Sequence, residues 1–395
     1  MAALYYTLYG VAAAVFGGWC FVWLLHITGL CLAKYYLHRK INQLPPETPV
    51  PGISIIKPLV GIDPNLFSNL ETFFTMRYPK YELLFCISDE SDSSIMLVKR
   101  LIEKYPAVDS CIFVGGENVG LNPKINNMMP GYRAAKYELV MVSDSRIRMK
   151  EDTLLDMVSY MTGNVALVHQ MPFTCDRIGF PATLEKVFFG TYHARMYLIA
   201  NMVGINCATG MSVIMKKEVL DEAGGFEVFG KYLAEDYFFA QYMLDNGFKL
   251  SVCSQPALQN SGVCEVADFQ SRITRWAKLR ISMVPFTALF EPFSECMLMG
   301  LAASWAANFI FNWDPITLYL VHTLVWFFLD WILVSIVQNG ILPFSKFEYV
   351  VSWLFREICT FFLFMKAIFD PTIRWRIGTF RLRWGGIVEE VKPKS

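Results

Sequence analysis

The runs ISIIKPL (Ile53–Leu59) and YELLFCISD (Tyr81–Asp89) decide the fold class of this chain. Each is short, apolar and rich in β-branched or aromatic residues, and this composition predicts a buried strand. Two similar runs follow, CIFVGG (Cys111–Gly116) and YELVMVSD (Tyr137–Asp144). Helical stretches lie between and after them: Pro64–Phe74, Ser93–Lys104, Pro123–Lys136 and Asp152–Met161. Because strands alternate with helices, this part of the chain is predicted to be an α/β domain with a mostly parallel, Rossmann-like sheet.

Acidic residues stand at the ends of two of these strands. Asp89 and Asp92 follow the second strand, and Asp144 closes the fourth. Each has an ordinary structural explanation, since Asp is common in turns and at helix N-caps, and Asp92 could cap the helix that begins at Ser93. Ligands of open α/β sheets bind beyond the carboxyl ends of the strands. The joint placement of these acids therefore predicts a site at that edge of the sheet.

Two later segments add charged residues at helical spacing. AEDYFFA (Ala234–Ala240) puts Glu235 and Asp236 at the start of an apolar helix, after a glycine-rich turn. FQSRITRWAKLR (Phe269–Arg280) then places Arg272, Arg275 and Trp276 on one helix face. The second segment could bind a diphosphate at one end, or it could be a basic amphipathic helix at a membrane surface. These two interpretations are compatible, because one end of such a helix could meet a diphosphate while the rest lies at the membrane interface.

The N-terminal segment has the character of a membrane anchor. Tyr9 to Ala33 contains no Asp, Glu, Lys or Arg, and a span needs about 20 such residues. Basic residues follow it immediately, beginning with Lys34, so the N-terminus is expected in the lumen and the next domain in the cytosol. A cleaved signal peptide fits less well, because the run is long and its basic cluster comes after it.

The C-terminal third is also apolar. Cys296–Trp313 has no charge and Pro315–Gln338 has only Asp330, whereas several charges interrupt Pro343–Phe369. A basic tail follows, with Arg374, Arg376, Arg381 and Arg383. Two crossings plus one interfacial helix would keep this tail cytosolic, three would place it in the lumen, and the sequence leaves both open. The expected organisation is an anchor (1–40), a catalytic domain (41–284), membrane helices (285–370) and the tail (371–395).

Composition limits the classes of partner and cofactor. Lys plus Arg and Asp plus Glu both number 35, so the basic excess of a nucleic-acid-binding protein is missing. The ten cysteines form no CxxC pair and no metal-binding spacing with His. The sequence has no Asn-x-Ser/Thr glycosylation acceptor, which favours a cytosolic domain.

The order of these motifs resembles lipid-directed inverting glycosyltransferases with the GT-A fold, and the whole chain is similar to the ceramide glucosyltransferase family. The segments that carry the resemblance extend from near the anchor almost to the C-terminus: KPLVGIDPNLFSNLETFF, NPKINNMMPGY, GTYHARMY, AEDYFFA, FQSRITRWAKLR and FDPTIRWRIGTFRLRWGG. The resemblance implies transfer of glucose from UDP-glucose to the primary hydroxyl of ceramide, with inversion, at the cytosolic face of the Golgi membrane.

The resemblance also implies roles for individual residues. Asp92, or its neighbour Asp89, would hold the uridine, and Asp144 would lie near the diphosphate and an Mg²⁺ or Mn²⁺ ion. Asp236, beside Glu235, would be the general base. The remaining members of the expected site are these: Arg272, Arg275 and Trp276 (the RxxRW motif) and Lys57 for the donor, and His193 near the active site. Asp144-Ser145-Arg146 lacks a second acid two residues on, so metal binding would rest on Asp144 and the diphosphate, and Arg146 is an alternative source of positive charge.

Three other functions fit parts of the pattern. A dolichyl-phosphate sugar transferase would share the fold and donor site, but its anionic acceptor has less need of a base. A processive polysaccharide synthase would need more membrane spans. A membrane scaffold with a degenerate transferase domain would not need the acids and Arg275 intact. The stretch Thr183–Gly204 is aromatic-rich. It could line the access route of the acceptor or form an ordinary core helix of the sheet domain, and both interpretations remain open.

Overall fold

A computed structural model describes residues 2–40, 50–262, 264–375 and 378–391. It divides into two compact units, each built from three segments. The sheet unit contains Tyr36–Arg177, Ala200–Glu265 and Thr372–Ser395. The helical unit contains Met1–Tyr35, Ile178–Ile199 and Val266–Pro371. The predicted start of the catalytic domain at residue 41 lies outside the described residues, and the predicted domain boundaries stay predictions.

The helices and strands follow in chain order. The strands are β1 (Ile53–Leu59), β2 (Tyr81–Ile87), β3 (Ser110–Val114), β4 (Leu139–Ser143), β5 (Ile147–Arg148), β6 (Val165–His169), β7 (Pro172–Thr174), β8 (Ser212–Lys216), β9 (Lys249–Val252), β10 (Ala257–Gln259), β11 (Thr372–Trp375), β12 (Gly378–Leu382) and β13 (Val388–Glu390). The helices are α1 (Ala2–Tyr36), α2 (Leu66–Phe74), α3 (Ser94–Lys104), α4 (Pro123–Ala134), α5 (Thr153–Ser159), α6 (Phe180–Phe188), α7 (Ala194–Val203), α8 (Lys217–Glu222), α9 (Glu235–Asp245), α10 (Val266–Met283), α11 (Pro285–Phe290), α12 (Cys296–Phe311), α13 (Pro315–Gln338) and α14 (Lys346–Phe369).

A seven-stranded sheet forms the centre of the sheet unit, with strand order β3-β2-β1-β4-β8-β6-β9. The strand β1 is held in parallel register on both sides, since Ile53 pairs with Tyr81 of β2 and with Leu139 of β4. Only β8 runs antiparallel to its neighbours β4 and β6; the other neighbouring pairs of this sheet are parallel. The predicted α/β class with a mostly parallel sheet is confirmed.

The helices α4 and α9 begin near the same edge of this sheet. Their apolar faces contribute to one buried core with the sheet, in which Tyr132 of α4 stacks on Phe226 and Phe226 stacks on Phe239 of α9, with ring centroids 4.1 and 4.9 Å apart. Gly120 and Gly230 allow the loops that lead to these helices to approach closely, because a Cβ on Gly120 would lie 2.5 Å from the Gly230 carbonyl oxygen. The core thus brings two helix starts together that are far apart in sequence.

The basic tail is folded within the sheet unit. Its strands β11, β12 and β13 form an antiparallel sheet that buries Ile373, Phe380, Leu382 and Val388 on one face. An isolated bridge joins Ile387 of this segment to Tyr232, four residues before Asp236. Arg374, Arg381 and Arg383 are exposed, and Arg376 lies outside the described residues. Sequence reasoning treated this stretch as a charged tail and missed its strands.

The helical unit contains two helices that are long and apolar enough to cross a membrane, α1 and α13, among the residues described. The helix α12 is apolar but has only 16 residues. The helix α14 is amphipathic, and its charged residues Arg356 and Glu357 are buried. The expectation of an N-terminal and a C-terminal apolar helix is confirmed.

Asp330, the single acid of α13, is fully buried within protein. Its carboxylate oxygens lie 3.3 Å from Nη1 of Arg195 and 3.2 Å from Nη2 of Arg356, and it accepts a hydrogen bond of 2.8 Å from Trp353 Nε1. Arg356 also pairs with Glu357. A charge inside a helix apolar enough to cross a membrane is expected to face protein or water, and here Asp330 joins α13 to α7 and α14.

Candidate active site

The aspartates after β2 are held by turn and cap hydrogen bonds. One carboxylate oxygen of Asp92 accepts from the backbone N of Gly61 at 2.7 Å, and the other accepts from Ser94 N at 2.8 Å, at the start of α3. Asp89 Oδ1 accepts from Ser91 N and Oγ. The hydrogen bonds from Ser91 lower the pKa of Asp89. For Asp92, desolvation is the largest single effect and raises the pKa, but the hydrogen bonds from Gly61 and Ser94 together outweigh it, so the pKa of this carboxyl is lowered. Asp92 therefore joins the loop after β1 to the end of β2, and its predicted contact with uridine stays a prediction.

Asp144 follows β4 and has a side chain that is 38% exposed. Its backbone is fixed on both sides, because its N donates to Met211 O at 2.9 Å and its carbonyl accepts from Lys57 Nζ at 2.8 Å. Lys57 is fully buried in β1, lies over the Phe73 ring and also donates to Ser143 Oγ. Burial lowers the pKa of this lysine, with an opposing effect of Asp144. In this arrangement Lys57 supports the backbone of Asp144, and its predicted donor contact stays a prediction.

Asp236 lies in the first turn of α9, beside Glu235. Its Oδ2 accepts from Gly210 N at 2.6 Å and its Oδ1 accepts from Tyr237 N at 2.9 Å. The site is tight at Gly210, since a Cβ there would lie 3.1 Å from Lys124 Nζ and 3.2 Å from Asp236 Oδ2, so a larger residue would require these side chains to shift slightly. Acidic residues are favoured at a helix N-terminus, which explains the local stability of this arrangement.

Lys124 connects Asp144, after β4, to Glu235, at the start of α9. Its ammonium nitrogen lies 3.0 Å from Asp144 Oδ1, 3.1 Å from Glu235 Oε1 and 3.1 Å from the Gly210 carbonyl oxygen. Asn122 completes the arrangement, because its Nδ2 donates to Glu235 Oε2 at 2.8 Å while its Oδ1 accepts from the N–H groups that begin α4. The structure thus brings Asp144, Glu235 and Asp236 together around a cation that sequence reasoning did not assign.

The charges of this cluster alter its proton affinities. Burial, followed by the neighbouring Glu235 carboxylate, raises the pKa of Asp236 to about 6, although Lys124 and two backbone N–H groups oppose this. Burial disfavours the charged form of Lys124, but the carboxylates of Asp144, Glu235 and Asp236 outweigh it and raise the pKa of the lysine. A carboxyl group with a pKa near neutrality is suited to proton transfer.

The cluster does not form a metal cage from protein groups alone. In the described part of the chain, no group of three or more His, Cys, Asp or Glu side chains could hold a metal ion. Asp144 is nonetheless exposed on one side, and Mg²⁺ is commonly held by one or two carboxylates together with substrate phosphates. The residues therefore fit a divalent ion that arrives with, and is partly held by, a diphosphate.

The RxxRW motif and His193 come together in the helical unit. Arg272 Nη2 donates to Glu185 Oε1 at 3.1 Å, and its guanidinium lies over the rings of Phe189 and Trp276. His193 stacks on Trp276 with centroids 5.7 Å apart. Burial, then the charges of Arg280 and Arg272, lowers the pKa of His193, so this imidazole is neutral. Arg275 is half-buried in the same helix, α10.

The stretch Thr183–Gly204, which contains His193, is largely buried. It forms α6, a π-helical turn at Phe189–His193, and α7. The expectation of a core helix of the sheet domain is wrong for most of this stretch, because Ile178–Ile199 belong to the helical unit, where α6 packs against α14. A small apolar pocket lies beside it, lined on three helices by residues such as Phe188, Ile273 and Phe355.

The sequence around Asn122 and Lys124 contains a local pattern that predicts a helix start. Asn followed by Pro is a strong helix start, with Asn at the N-cap and Pro at the first helical position. A lysine in the first turn is unfavourable for the helix dipole, so it indicates compensating acids nearby. The identity of the acids that neutralise Lys124 depends on α9 packing beside the start of α4. Asn122 and Glu235 are 113 residues apart in the sequence, so no local pattern predicts this contact.

Comparisons with known proteins agree with the motif pattern. The model of glycosyl transferase family 21 matches residues 21–388. Ceramide glucosyltransferase 3 of Caenorhabditis elegans is 48% identical over 367 residues, which cover 92% of this chain and 79% of that protein. Ceramide glucosyltransferase 1 of the same organism is 46% identical over 373 residues, covering 94% and 79%. The ceramide glucosyltransferase of Komagataella phaffii is 26% identical over 450 residues, covering 91% and 87%.

Solved structures show a weaker likeness. Mannosyltransferase PcManGT from Pyrobaculum calidifontis, in complex with GDP-Man and Mn²⁺, aligns with a TM-score of 0.47 and 17% identity, covering 89% of this chain and 99% of that one.

Proposed function

The chain belongs to glycosyl transferase family 21, and from this membership and the acid cluster we propose that it transfers glucose from UDP-glucose to the primary hydroxyl of ceramide. The ceramide glucosyltransferases of Caenorhabditis elegans, which share nearly half of its residues, support the acceptor and the reaction. The choice of UDP-glucose as the donor rests on the resemblance of the chain to this family.

The observation that carries the chemical proposal is the environment of Asp236. A hydroxyl must lose its proton as its oxygen bonds to the sugar C1, and a carboxylate with a pKa of about 6 is ionised at neutral pH and basic enough to accept that proton. The new C–O bond forms as the bond from C1 to UDP breaks, and UDP leaves with the electron pair. With the base and the leaving group on opposite faces of the sugar, the α-linked donor yields a β-glucoside.

Positive charge is needed where UDP leaves. We propose that Asp144 would hold an Mg²⁺ or Mn²⁺ ion together with the diphosphate, and that such an ion would neutralise the developing charge. Arg272 and Arg275 keep the diphosphate role that their motif predicts. Asp92, with Asp89 as the alternative, keeps its predicted role of binding the uridine. This assignment is supported by the motif order and by the exposure of Asp144.

A membrane location follows from the acceptor and from the apolar helices. We propose that α1 crosses once, that α12 and α13 form a hairpin that crosses twice, and that α14 lies at the interface. Contacts within the helical unit support this, since the ring centroids of Tyr5 and Phe309 are 5.7 Å apart and those of Phe16 and Trp313 are 6.2 Å apart. The start of α1 and the α12–α13 turn then share the lumenal side. The sheet unit faces the cytosol, and the family resemblance favours the Golgi.

The choice of donor and acceptor is tested by a crossed assay. The purified full-length protein in lipid nanodiscs is given ceramide or dolichyl phosphate with UDP-glucose or UDP-galactose, and lipid products are identified by mass spectrometry. The proposal expects hexosylceramide from the UDP-glucose and ceramide pair. Product from dolichyl phosphate instead would establish the rival lipid transferase, in which a base is less needed.

A further inference from the structure

Lys124 makes more contacts with the acid cluster than any role above requires. Its ammonium lies about 3 Å from three acceptors, on Asp144, Glu235 and Gly210, and its side chain is only 13% exposed. Glu235 is nearly buried, and its second oxygen is held by Asn122. The ammonium is therefore the internal counter-ion of this cluster.

We propose that Lys124 is a donor-responsive counter-ion: it ties Asp144 to Glu235 in the donor-free protein and pairs with the donor's diphosphate when a nucleoside diphosphate sugar binds. This rests on the proposed function, because the ligand is the diphosphate of that donor. In the donor-free protein the ammonium neutralises Asp144 and Glu235, so that these acids do not bind a cation from solution. When the donor binds, the same ammonium pairs with its diphosphate.

The arrangement of the cluster supports the first half of this role. Among the residues that the structure describes, no group of three or more His, Cys, Asp or Glu side chains could hold a metal ion. Within this cluster, Lys124 already pairs with one oxygen of Asp144 and one of Glu235. A cation therefore has little to bind until a diphosphate brings further oxygens.

The accessibility of the cluster supports the second half. Asp144 is 38% exposed, so one side of the ion pair is open to a ligand. A diphosphate that approaches Asp144 is repelled by its carboxylate and by Glu235, and the Lys124 ammonium, which already contacts both acids, is a cation that can turn to meet it. Lysine suits this task because its ammonium is a point charge on a mobile stem, whereas the buried Lys57 is fixed to the backbone.

The test uses two binding measurements on the full-length protein in detergent. Mn²⁺ binding without nucleotide is measured by electron paramagnetic resonance, and UDP binding is measured by calorimetry at fixed Mg²⁺. We expect Lys124→Met to bind Mn²⁺ at least tenfold more tightly and UDP at least tenfold more weakly than wild type. Lys99→Met, an exposed lysine on α3, should change neither value.

A merely structural role for Lys124 would not tighten Mn²⁺ binding, so this gain is the discriminating readout. A folded Lys124→Met protein whose UDP or Mn²⁺ affinity stays within threefold of wild type would overturn the inference.

A second variant keeps the test decisive if Lys124→Met does not fold. Glu235→Gln frees the ammonium from one partner while keeping the shape, and UDP should bind at least threefold more tightly. Weaker or unchanged UDP binding by folded Glu235→Gln would overturn the inference. A wild-type protein that does not bind UDP at all would instead overturn the proposed donor and hence the function itself.

Discussion

At the scale of single residues, the proposed reaction depends most on Asp236. Asn preserves the shape of this side chain but cannot accept the proton. We expect Asp236→Asn to lose about 10²- to 10⁴-fold in kcat, the range of general base catalysis, while UDP affinity changes by less than threefold. Asp245→Asn, exposed at the other end of α9, is the matched control and should retain full activity. Activity near wild type in Asp236→Asn would exclude this residue as the base.

The pH dependence of the reaction belongs to the same residue. Because the pKa of Asp236 is about 6, kcat/KM should be level above pH 7 and fall tenfold per pH unit below 6. Acid unfolding driven by this carboxyl does not explain the loss of activity below pH 6. The pKa of Asp236 is higher in the folded chain, so protonation of this carboxyl stabilises the folded state relative to the unfolded one. A profile that is flat from pH 7 to 5, with thermal stability measured in parallel, would contradict the assignment.

At the scale of helices and strands, apolar runs predicted the core strands and their order of appearance well. The run Ile53–Leu59 is β1 without change, and the predicted helix starts are within two residues of those of α2, α3 and α4. Burial explains this success, because fully buried strands are nearly continuous hydrophobic runs. The antiparallel placement of β8 between β4 and β6 depends on a long return of the chain, and local composition does not encode it.

The strands of the C-terminal sheet were missed for a different reason. Its exposed arginines dominated the interpretation of the segment, although Phe380 and Leu382 alternate with them as in a half-buried strand. The same limit applies to the site. The acids at strand and helix ends were predictable, whereas Lys124 acquires its meaning only when α4 and α9 meet.

Asp330 tests how buried charges stabilise the long apolar helix α13 and its neighbours. Asp330→Asn leaves Arg195 and Arg356 buried with one carboxylate fewer, and removing one member of a buried ion pair costs about 3–5 kcal/mol. We expect a clear loss of thermal stability in detergent. Asp314→Asn, at the exposed N-cap of the same helix, is the control and should be nearly neutral, because Asn caps as well as Asp. Equal melting temperatures for the two variants would contradict the role of the cluster.

At the scale of the whole molecule, the proposed topology makes a prediction that the sequence allows to be tested cleanly. The chain has no native Asn-x-Ser/Thr acceptor, so an inserted one reports its location alone. A 20-residue Gly/Ser insert with one acceptor should be glycosylated between Trp313 and Asp314, on the lumenal side. The same insert between Gly340 and Ile341 should not be. Gel mobility before and after endoglycosidase treatment measures both, and UDP binding confirms folding. The reverse pattern would invert the membrane orientation.

The central claim is that this chain forms a β-glucoside of ceramide with Asp236 as the base. Its most direct test is the product of purified protein given UDP-glucose and ceramide, identified by mass spectrometry and with its anomeric configuration assigned by nuclear magnetic resonance. We expect β-glucosylceramide from the wild type and from Asp245→Asn, and only trace product from Asp236→Asn. An α-linked product, or no glycolipid from protein that binds UDP, would contradict it.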